Sequence, residues 1–212
     1  SPPGRSKRWL PPADPTPMSL HLVSDAGERT VLALGRWSDH ATEAEIDLLG
    51  ALPPPVLDLG CGPGRLVAAL SARGTAVLGV DASPAAVDLT RATGGTALCR
   101  SVFDPLPGEG RWRSVLLVDG NVGIGGDPIR LLRRVASLLA PAGVAIVEAE
   151  ERTVTRIGSA RLHTDGAPGP WFPWAWVAAR DLPGLAREAG LELDRWERPE
   201  GRWMARLRPG RP

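Results

Sequence analysis

Three glycines and an aspartate carry the clearest chemistry in the chain. The run Val56-Leu57-Asp58-Leu59-Gly60-Cys61-Gly62-Pro63-Gly64-Arg65-Leu66 passes from a short apolar strand through a glycine-rich turn into a helix. Gly60 permits the tight turn out of the strand. Gly62 lets a ligand approach the backbone with no β-carbon in the way. Gly64 lets the helix start close to the sheet. Asp81 ends the next apolar strand, 21 residues after Gly60, where a carboxylate can accept hydrogen bonds from both hydroxyls of a ribose. Cys61 reads as a small packed residue of the loop, because no histidine lies near it in sequence to activate it.

The spacing narrows the ligand. A dinucleotide fingerprint would place its third glycine at position 65, which is Arg65. The G-x-G-x-G spacing, stiffened by Pro63, turns the reading away from NAD and toward S-adenosylmethionine. Methyl transfer is an in-line displacement in which alignment supplies much of the rate, and an acceptor hydroxyl or amine also needs a base near neutral pH. Asp119, Glu148 and His163 are the candidate bases, with Asp119 and His163 taken as the catalytic pair. Glu148 and Glu150 have a plain reading as solvated carboxylates, and His163 one as a turn cap. Asp119-Gly120-Asn121 opens a glycine-rich stretch that runs to Asp127 at the expected site; Asp127 itself reads as a helix cap. Trp171-Phe172-Pro173-Trp174-Ala175-Trp176 packs four aromatics into six residues. Either these rings pack one strand face onto the sheet, or Trp171 and Trp174 wall or cover a flat acceptor. Trp37, with Asp39, His40 and Glu43 close by, is a second candidate lid. The three histidines stand far apart and give no metal-ligand spacing.

The elements that position these groups follow from local signals. Thr42-Glu-Ala-Glu45 forms a capping box opening a helix that stops at Gly50. From Val56 onward strands and helices alternate: strands at Val56–Leu59, Ala76–Val80, Ala97–Val102, Ser114–Val118 and Val144–Glu148, with helices at Gly64–Ala72, Ser83–Thr93 and Asp127–Leu139. Ser83-Pro84 and Asp127-Pro128 pair a cap with proline at the first helical position. Continuous apolar strands between amphipathic helices predict a parallel sheet covered on both faces. Arg152–His163 reads as extended, Asp181–Ala189 as a helix, and Leu191–Glu197 with Arg202–Leu207 as a hairpin. Leu20–Leu34 is ambiguous.

At VLDLGCGPGRL followed by VLGVDASPAAV the chain resembles the class I S-adenosylmethionine-dependent methyltransferases, well over Pro55–Glu148. The stretches DGNVGIGGDPIRLLRRVASLLAPAG and WFPWAW resemble a small actinobacterial branch of that family. The resemblance implies a doubly wound α/β fold with a mostly parallel seven-stranded sheet and a terminal antiparallel hairpin. It places Asp58, Gly60 and Gly62 on the methionine part of the cofactor and Asp81 on the ribose. Cys61, Ala82, Asp119, Gly120 and Asn121 complete the cofactor-binding set. The end of the third strand would flank the adenine, Val102 and Phe103 sandwiching the ring. Many relatives carry an acidic residue there; here either Ser101 replaces it or Asp104 serves instead.

Composition bounds the alternatives. A chain of 212 residues, 43% hydrophobic, fits one domain, taken as 20–212 behind a proline-rich, disordered or tag-like leader at 1–19. A formal charge of +1 argues against a nucleic-acid-coating surface, and no apolar run reaches membrane-spanning length. Two cysteines are too few for a disulfide framework, so the expected compartment is the cytoplasm. The expected activity is methyl transfer from S-adenosylmethionine, leaving S-adenosylhomocysteine, to a small-molecule acceptor, by a monomer or homodimer with no nucleic-acid, membrane or metal partner. The rival readings are a non-catalytic S-adenosylmethionine-binding regulatory module and a nucleotide-dependent reductase on the same fold.

Overall fold

Val56–Leu59 (β3) is buried over its whole length, as a strand covered on both faces must be. In the computed structural model, which describes residues 20–32, 41–163 and 168–210, β3 is an interior strand of a seven-stranded sheet. Val77–Asp81 (β4) and Ala97–Cys99 (β5) lie on one side of it, Trp112–Leu117 (β6) and Leu139–Ala149 (β7) on the other. These five strands run parallel. Leu191–Glu197 (β10) and Trp203–Pro209 (β11) form the terminal hairpin, with β11 antiparallel to β7 and β10 at the edge. The chain leaves β3 toward β4 and later returns to its other side at β6. The crevice at the carboxyl ends of β3 and β6 is therefore a topological switch point, where open α/β sheets bind ligands.

Helices cover both faces. Glu43–Gly50 (α1) and Arg65–Ser71 (α2) bury Leu48, Leu49, Leu66 and Leu70 against one face, beside Met204 of β11. Pro128–Leu138 (α4) buries Leu131, Leu132, Val135 and Leu138 against the other, with Leu182 of Leu182–Glu188 (α5). Pro84–Ala92 (α3) buries Val87 and Thr90 beside β4 and β5. The caps are the expected ones. Thr42 and Glu45 exchange both bonds of the capping box. The Ser83 hydroxyl accepts from the Ala86 N–H and the Asp127 carboxylate from the Arg130 N–H.

Several boundaries shift by a few residues from expectation, two of them with a visible cause. The third strand stops at Cys99 rather than Val102, because the Asp104 carboxylate accepts the Ser101 N–H at 3.1 Å and bends the chain out of the sheet. The fourth helix ends one residue early and β7 starts at once, at Leu139, with a bulge between Trp112 and Ser114 of β6 taking up the irregularity.

A second, four-stranded antiparallel sheet adds Leu20–Ser24 (β1), Arg29–Leu32 (β2), Arg156–His163 (β8) and Phe172–Trp176 (β9) in the order β2-β1-β8-β9. It resolves the ambiguity at Leu20–Leu34 for the described residues 20–32, which form a hairpin. Leu22, Ala160 and Trp176 are buried together on one face, with Phe172 and Trp174 packed on them. The leader at 1–19 and the lid candidates Trp37 and His40 lie outside the described residues. No described helix is long and apolar enough to cross a membrane.

Candidate functional site

A cavity of about 370 Å³ opens over the carboxyl ends of β3, β4 and β6. Its floor is the glycine loop, Gly60 to Pro63, with Asp58 below it and Asp81, Asp119 and Asn121 around it. Ser83, Ala86 and Leu89 of α3 form one side, and Leu162 of β8 reaches in from the second sheet. The switch point between β3 and β6 is thus the site of the cavity.

The loop's geometry explains its residues. Gly60 has φ +77°, and a β-carbon there would lie 2.7 Å from the Asn121 amide nitrogen. That amide donates to the carbonyls of Leu59 and Gly60 at 3.0 and 2.8 Å, so Asn121 clamps the loop as well as lining the cavity. A β-carbon on Gly62, at φ +53°, would meet no protein atom within 4 Å. The space beside it is open, as the approach of a ligand to the backbone requires. Gly64 is close-packed for a reason beyond the sheet: a β-carbon would fall 2.4 Å from Thr90 of α3, whose hydroxyl donates to the Gly62 carbonyl. Cys61 packs its sulfur against Gly79, and burial pushes its thiol well above the ordinary value. A thiol kept protonated is a packing group and not a nucleophile.

Asp81 accepts the Gly62 N–H at 2.9 Å on one carboxylate oxygen and the Ser83 N–H at 2.8 Å on the other. Two backbone donors fix the carboxylate's plane and leave lone pairs on both oxygens for a diol. Asp58 is different. It is 3% exposed, lines the cavity floor, and accepts no hydrogen bond among the described residues. Burial, reinforced by the neighbouring charges of Asp119 and Asp81, pushes its carboxyl up to about 7, with Arg65 opposing. An unpartnered buried carboxylate facing a cavity is poised for a cation.

Beneath the loop lies an ion network that the sequence reading did not anticipate. Arg65 donates to Glu45 at 2.5 Å and to Asp119 at 2.8 Å. Arg202, in the turn between β10 and β11, donates to Glu45, to Asp119 at 2.7 Å and to Glu148 at 2.5 Å. The Asp119 N–H donates to Glu148 at 2.5 Å. Three carboxylates from three elements thus share two guanidiniums. Burial works to raise the Glu45 carboxyl, but Arg65, the Thr42 N–H and Arg202 together hold it below its ordinary value. The network holds Asp119 at φ +60°, a left-handed conformation that aspartate tolerates better than most residues with a β-carbon. That turn aims Asn121 back at Gly60. Arg65 had a visible signal, since it follows Gly64 directly; Glu45 was legible only as a cap, and Arg202 had no local signal at all.

The remaining expected residues separate. Asp119 lines the cavity and Glu148 stands behind it in the ion network, but each oxygen of both already accepts from a guanidinium, so the geometry holds Asp119 as a brace under the loop where a general base was expected. His163 pairs with His21 across β1 and β8. Strand alternation turns it away from the cavity that its neighbour Leu162 enters. Gly120, at φ +81°, continues the Asp119 turn. Ala82 and Ser101 are not among the cavity lining, and the Ser101 hydroxyl accepts the Phe103 N–H at 3.3 Å. Val102 is buried in the core, and Phe103 lies under the Arg130 guanidinium, 4.2 Å from its ring centroid, so neither side chain reaches the cavity. Of the tryptophans, Trp174 lies beside the turn after β6: a β-carbon on Gly123 would come within 2.9 Å of its indole. Trp171 is 48% exposed and stacks under Arg161, at 4.5 Å, on the opposite face of the second sheet from Leu162.

Comparisons with known proteins agree with this geometry. Trans-aconitate 2-methyltransferase of Methylobacterium radiotolerans is 31% identical over 170 residues, covering 75% of this chain and 61% of that protein; the chain thus spans less than two thirds of that relative. An S-adenosylmethionine-dependent methyltransferase from Bacteroides fragilis, solved with S-adenosyl-L-homocysteine, superposes with a TM-score of 0.77 at 20% identity, covering 91% of this chain and 88% of that one. The 1,6-didemethyltoxoflavin-N1-methyltransferase of Burkholderia thailandensis gives 0.58 at 22% identity, covering 82% and 81%. These two structures establish the fold. A family model described as a methyltransferase domain matches residues 34–195, most of the sequence, and the chain belongs to that methyltransferase-domain family.

Proposed function

We propose that this protein is an S-adenosylmethionine-dependent methyltransferase acting on a small molecule. The observation that carries the reading is the pair of carboxylates at the cavity floor. Asp81 is aligned by two backbone N–H groups and keeps lone pairs on both oxygens, which suits a ribose diol. Asp58 is buried without a hydrogen-bonding partner among the described residues, which suits the α-ammonium of a methionine moiety. The open space beside Gly62 admits the ligand to the backbone between them. The donor set therefore fits S-adenosylmethionine, which when bound supplies an electrophilic methyl group for in-line displacement.

The chain's own residues bind and orient. Asp58 neutralises the ammonium, Asp81 fixes the ribose, and Asn121 holds Gly60 in the conformation that shapes the floor. Leu162 borders the space from the second sheet, with Trp174 behind the turn after β6, and an acceptor there would be screened from water. With Asp119 and Glu148 occupied by guanidiniums, we take the acceptor to be an acid whose carboxylate is already ionised at neutral pH and needs no base. The relative that acts on trans-aconitate supports this choice of class.

The test is transfer of tritiated methyl from S-adenosylmethionine to separated extract fractions and to a panel of di- and tricarboxylic acids. The expected product is a base-labile methyl ester in the small-molecule fraction. Label found only in protein or nucleic acid would overturn the small-molecule reading. Tight S-adenosylhomocysteine binding with no transfer to any fraction would mark a binding module.

A further inference from the structure

A second cavity, of about 350 Å³, lies between α1 and the terminal hairpin and shares no lining residue with the glycine-loop cavity. Arg195, Arg198 and Arg206 line it, with Asp47 and Glu197 among them and Leu48 as an apolar wall. Three features make it unusual. Arg195 and Arg206 are paired directly across β10 and β11, a register at which like charges destabilise a sheet. Arg206 lies on the same face of β11 as Met204, packed toward α1, and its side chain is only 11% exposed. Its Nε is buried without a hydrogen-bond partner; the nearest carboxylate, Asp194, is 3.5 Å away without the geometry of a bond.

The surrounding charges do not cure this. A bulge between Leu193 and Arg195 brings Asp194 to the hairpin's arginines, but that single carboxylate serves Arg195, Arg206 and Arg208 at once. Glu197 is held by Arg195 at 2.9 Å. Arg198 donates to the Gly201 carbonyl and covers Trp203. Burial, with the charges of Arg195 and Arg208, pushes the Arg206 guanidinium below its ordinary value. A guanidinium short of counter-charge, lining a cavity among like charges, suits the oxygens of an anion.

We propose that this cavity is an anion-binding site, in which Arg206 and Arg195 together clasp the oxygens of a small phosphate- or carboxylate-bearing molecule. Arg195, which holds Glu197 and Asp194, would turn its fork to the oxyanion beside the Arg206 guanidinium of the adjacent strand, a pairing that suits a planar or tetrahedral group. Asp47 and Glu197 in the lining limit the occupant to a compact group. The site is separate from the proposed cofactor cavity, and its occupant is a different molecule from cofactor and acceptor.

The test titrates inorganic phosphate, and in a separate arm citrate, into the full chain at fixed ionic strength with chloride as the balancing salt. Melting temperature and calorimetric binding are both read. The expected result is a saturable rise in melting temperature with one or both anions, assigning the phosphate or the carboxylate class. Arg206→Met should abolish the rise, and in chloride alone it should melt at or above the wild-type temperature, because it removes a buried charge whose one carboxylate is shared with two other arginines. Arg195→Gln should weaken binding at least tenfold, and Asp81→Ala should leave the response intact. Phosphate and citrate acting no differently from chloride would overturn the proposal. So would a saturable response retained in Arg206→Met, or one lost in Asp81→Ala.

Discussion

Asp58 ties the proposed ligand to a measurable pH dependence. Its carboxyl is pushed from 3.8 up to about 7 by burial, with Asp119 and Asp81 adding to the effect. In the unfolded chain it ionises near its ordinary value. Between these limits the folded protein binds a proton that the unfolded chain has lost, so ligand-free stability falls as pH rises from about 4 to about 7 and is level above. The interval corresponds to roughly 4 kcal/mol. Cofactor binding runs the other way. Only the ionised carboxylate pairs with an ammonium, so affinity should rise about tenfold per pH unit below 7 and reach a plateau above 7.5, with about half a proton released per site at pH 7. Asp58→Asn removes both effects. It should melt above wild type at pH 8 without ligand, bind S-adenosylhomocysteine roughly tenfold or more weakly at the plateau, and show no slope with pH. Calorimetry from pH 5.5 to 8, in two buffers of different ionisation enthalpy, reads the affinity and the released proton together. Wild-type affinity that is flat over this range, or an Asp58→Asn variant that binds as wild type does, would refute the assignment of Asp58 to the ammonium.

Other substitutions separate positioning from chemistry. Gly62→Val should fold, because its β-carbon meets no protein atom; strain at φ +53° should cost about 1–2 kcal/mol, and S-adenosylhomocysteine affinity should fall more than tenfold by calorimetry. Asp119→Asn should lower the melting temperature by the equivalent of about 1–3 kcal/mol and weaken cofactor binding through Asn121 and Gly60. An unchanged melting temperature and affinity, with turnover alone lost, would restore Asp119 as a base. Trp174→Ala should impair methyl transfer with cofactor affinity nearly intact. Trp171→Ala should leave both unchanged and cost at most about 1 kcal/mol, the worth of an exposed cation–π contact, as thermal melts and turnover on the same samples would show.

What was legible in the sequence was what local physics determines. The strand, turn and helix around Gly60–Gly64 follow from apolar runs and glycine spacing, and the caps at Thr42, Ser83 and Asp127 from short polar side chains before helices. The position of Asp81 at a strand end was legible for the same reason, and with it the cavity at the switch point. What was hidden depends on contacts between distant segments. The second sheet joins β1 and β2 to β8 and β9, over 120 residues apart in sequence, and no local pattern specifies such a partner. Arg202 meets Asp119 and Glu45 only because the terminal hairpin folds back beside β7. Asp119 therefore looked like a free carboxylate in the sequence and is a brace in the fold. The aromatic run divides at Phe172 because strand alternation sends Trp171 to one face and Trp174 to the other.

The proposed function stands or falls with S-adenosylmethionine held through Asp81 in the cavity over Gly60–Pro63. The decisive measurement is titration calorimetry with S-adenosylhomocysteine on wild type and Asp81→Ala, with NADH as a second ligand. The expected result is one saturable S-adenosylhomocysteine site in wild type, affinity at least tenfold weaker in Asp81→Ala from the loss of a charge-assisted hydrogen bond worth about 1.5–3 kcal/mol, and no NADH binding. Equal S-adenosylhomocysteine affinity in the two proteins, or NADH bound in preference, would contradict it.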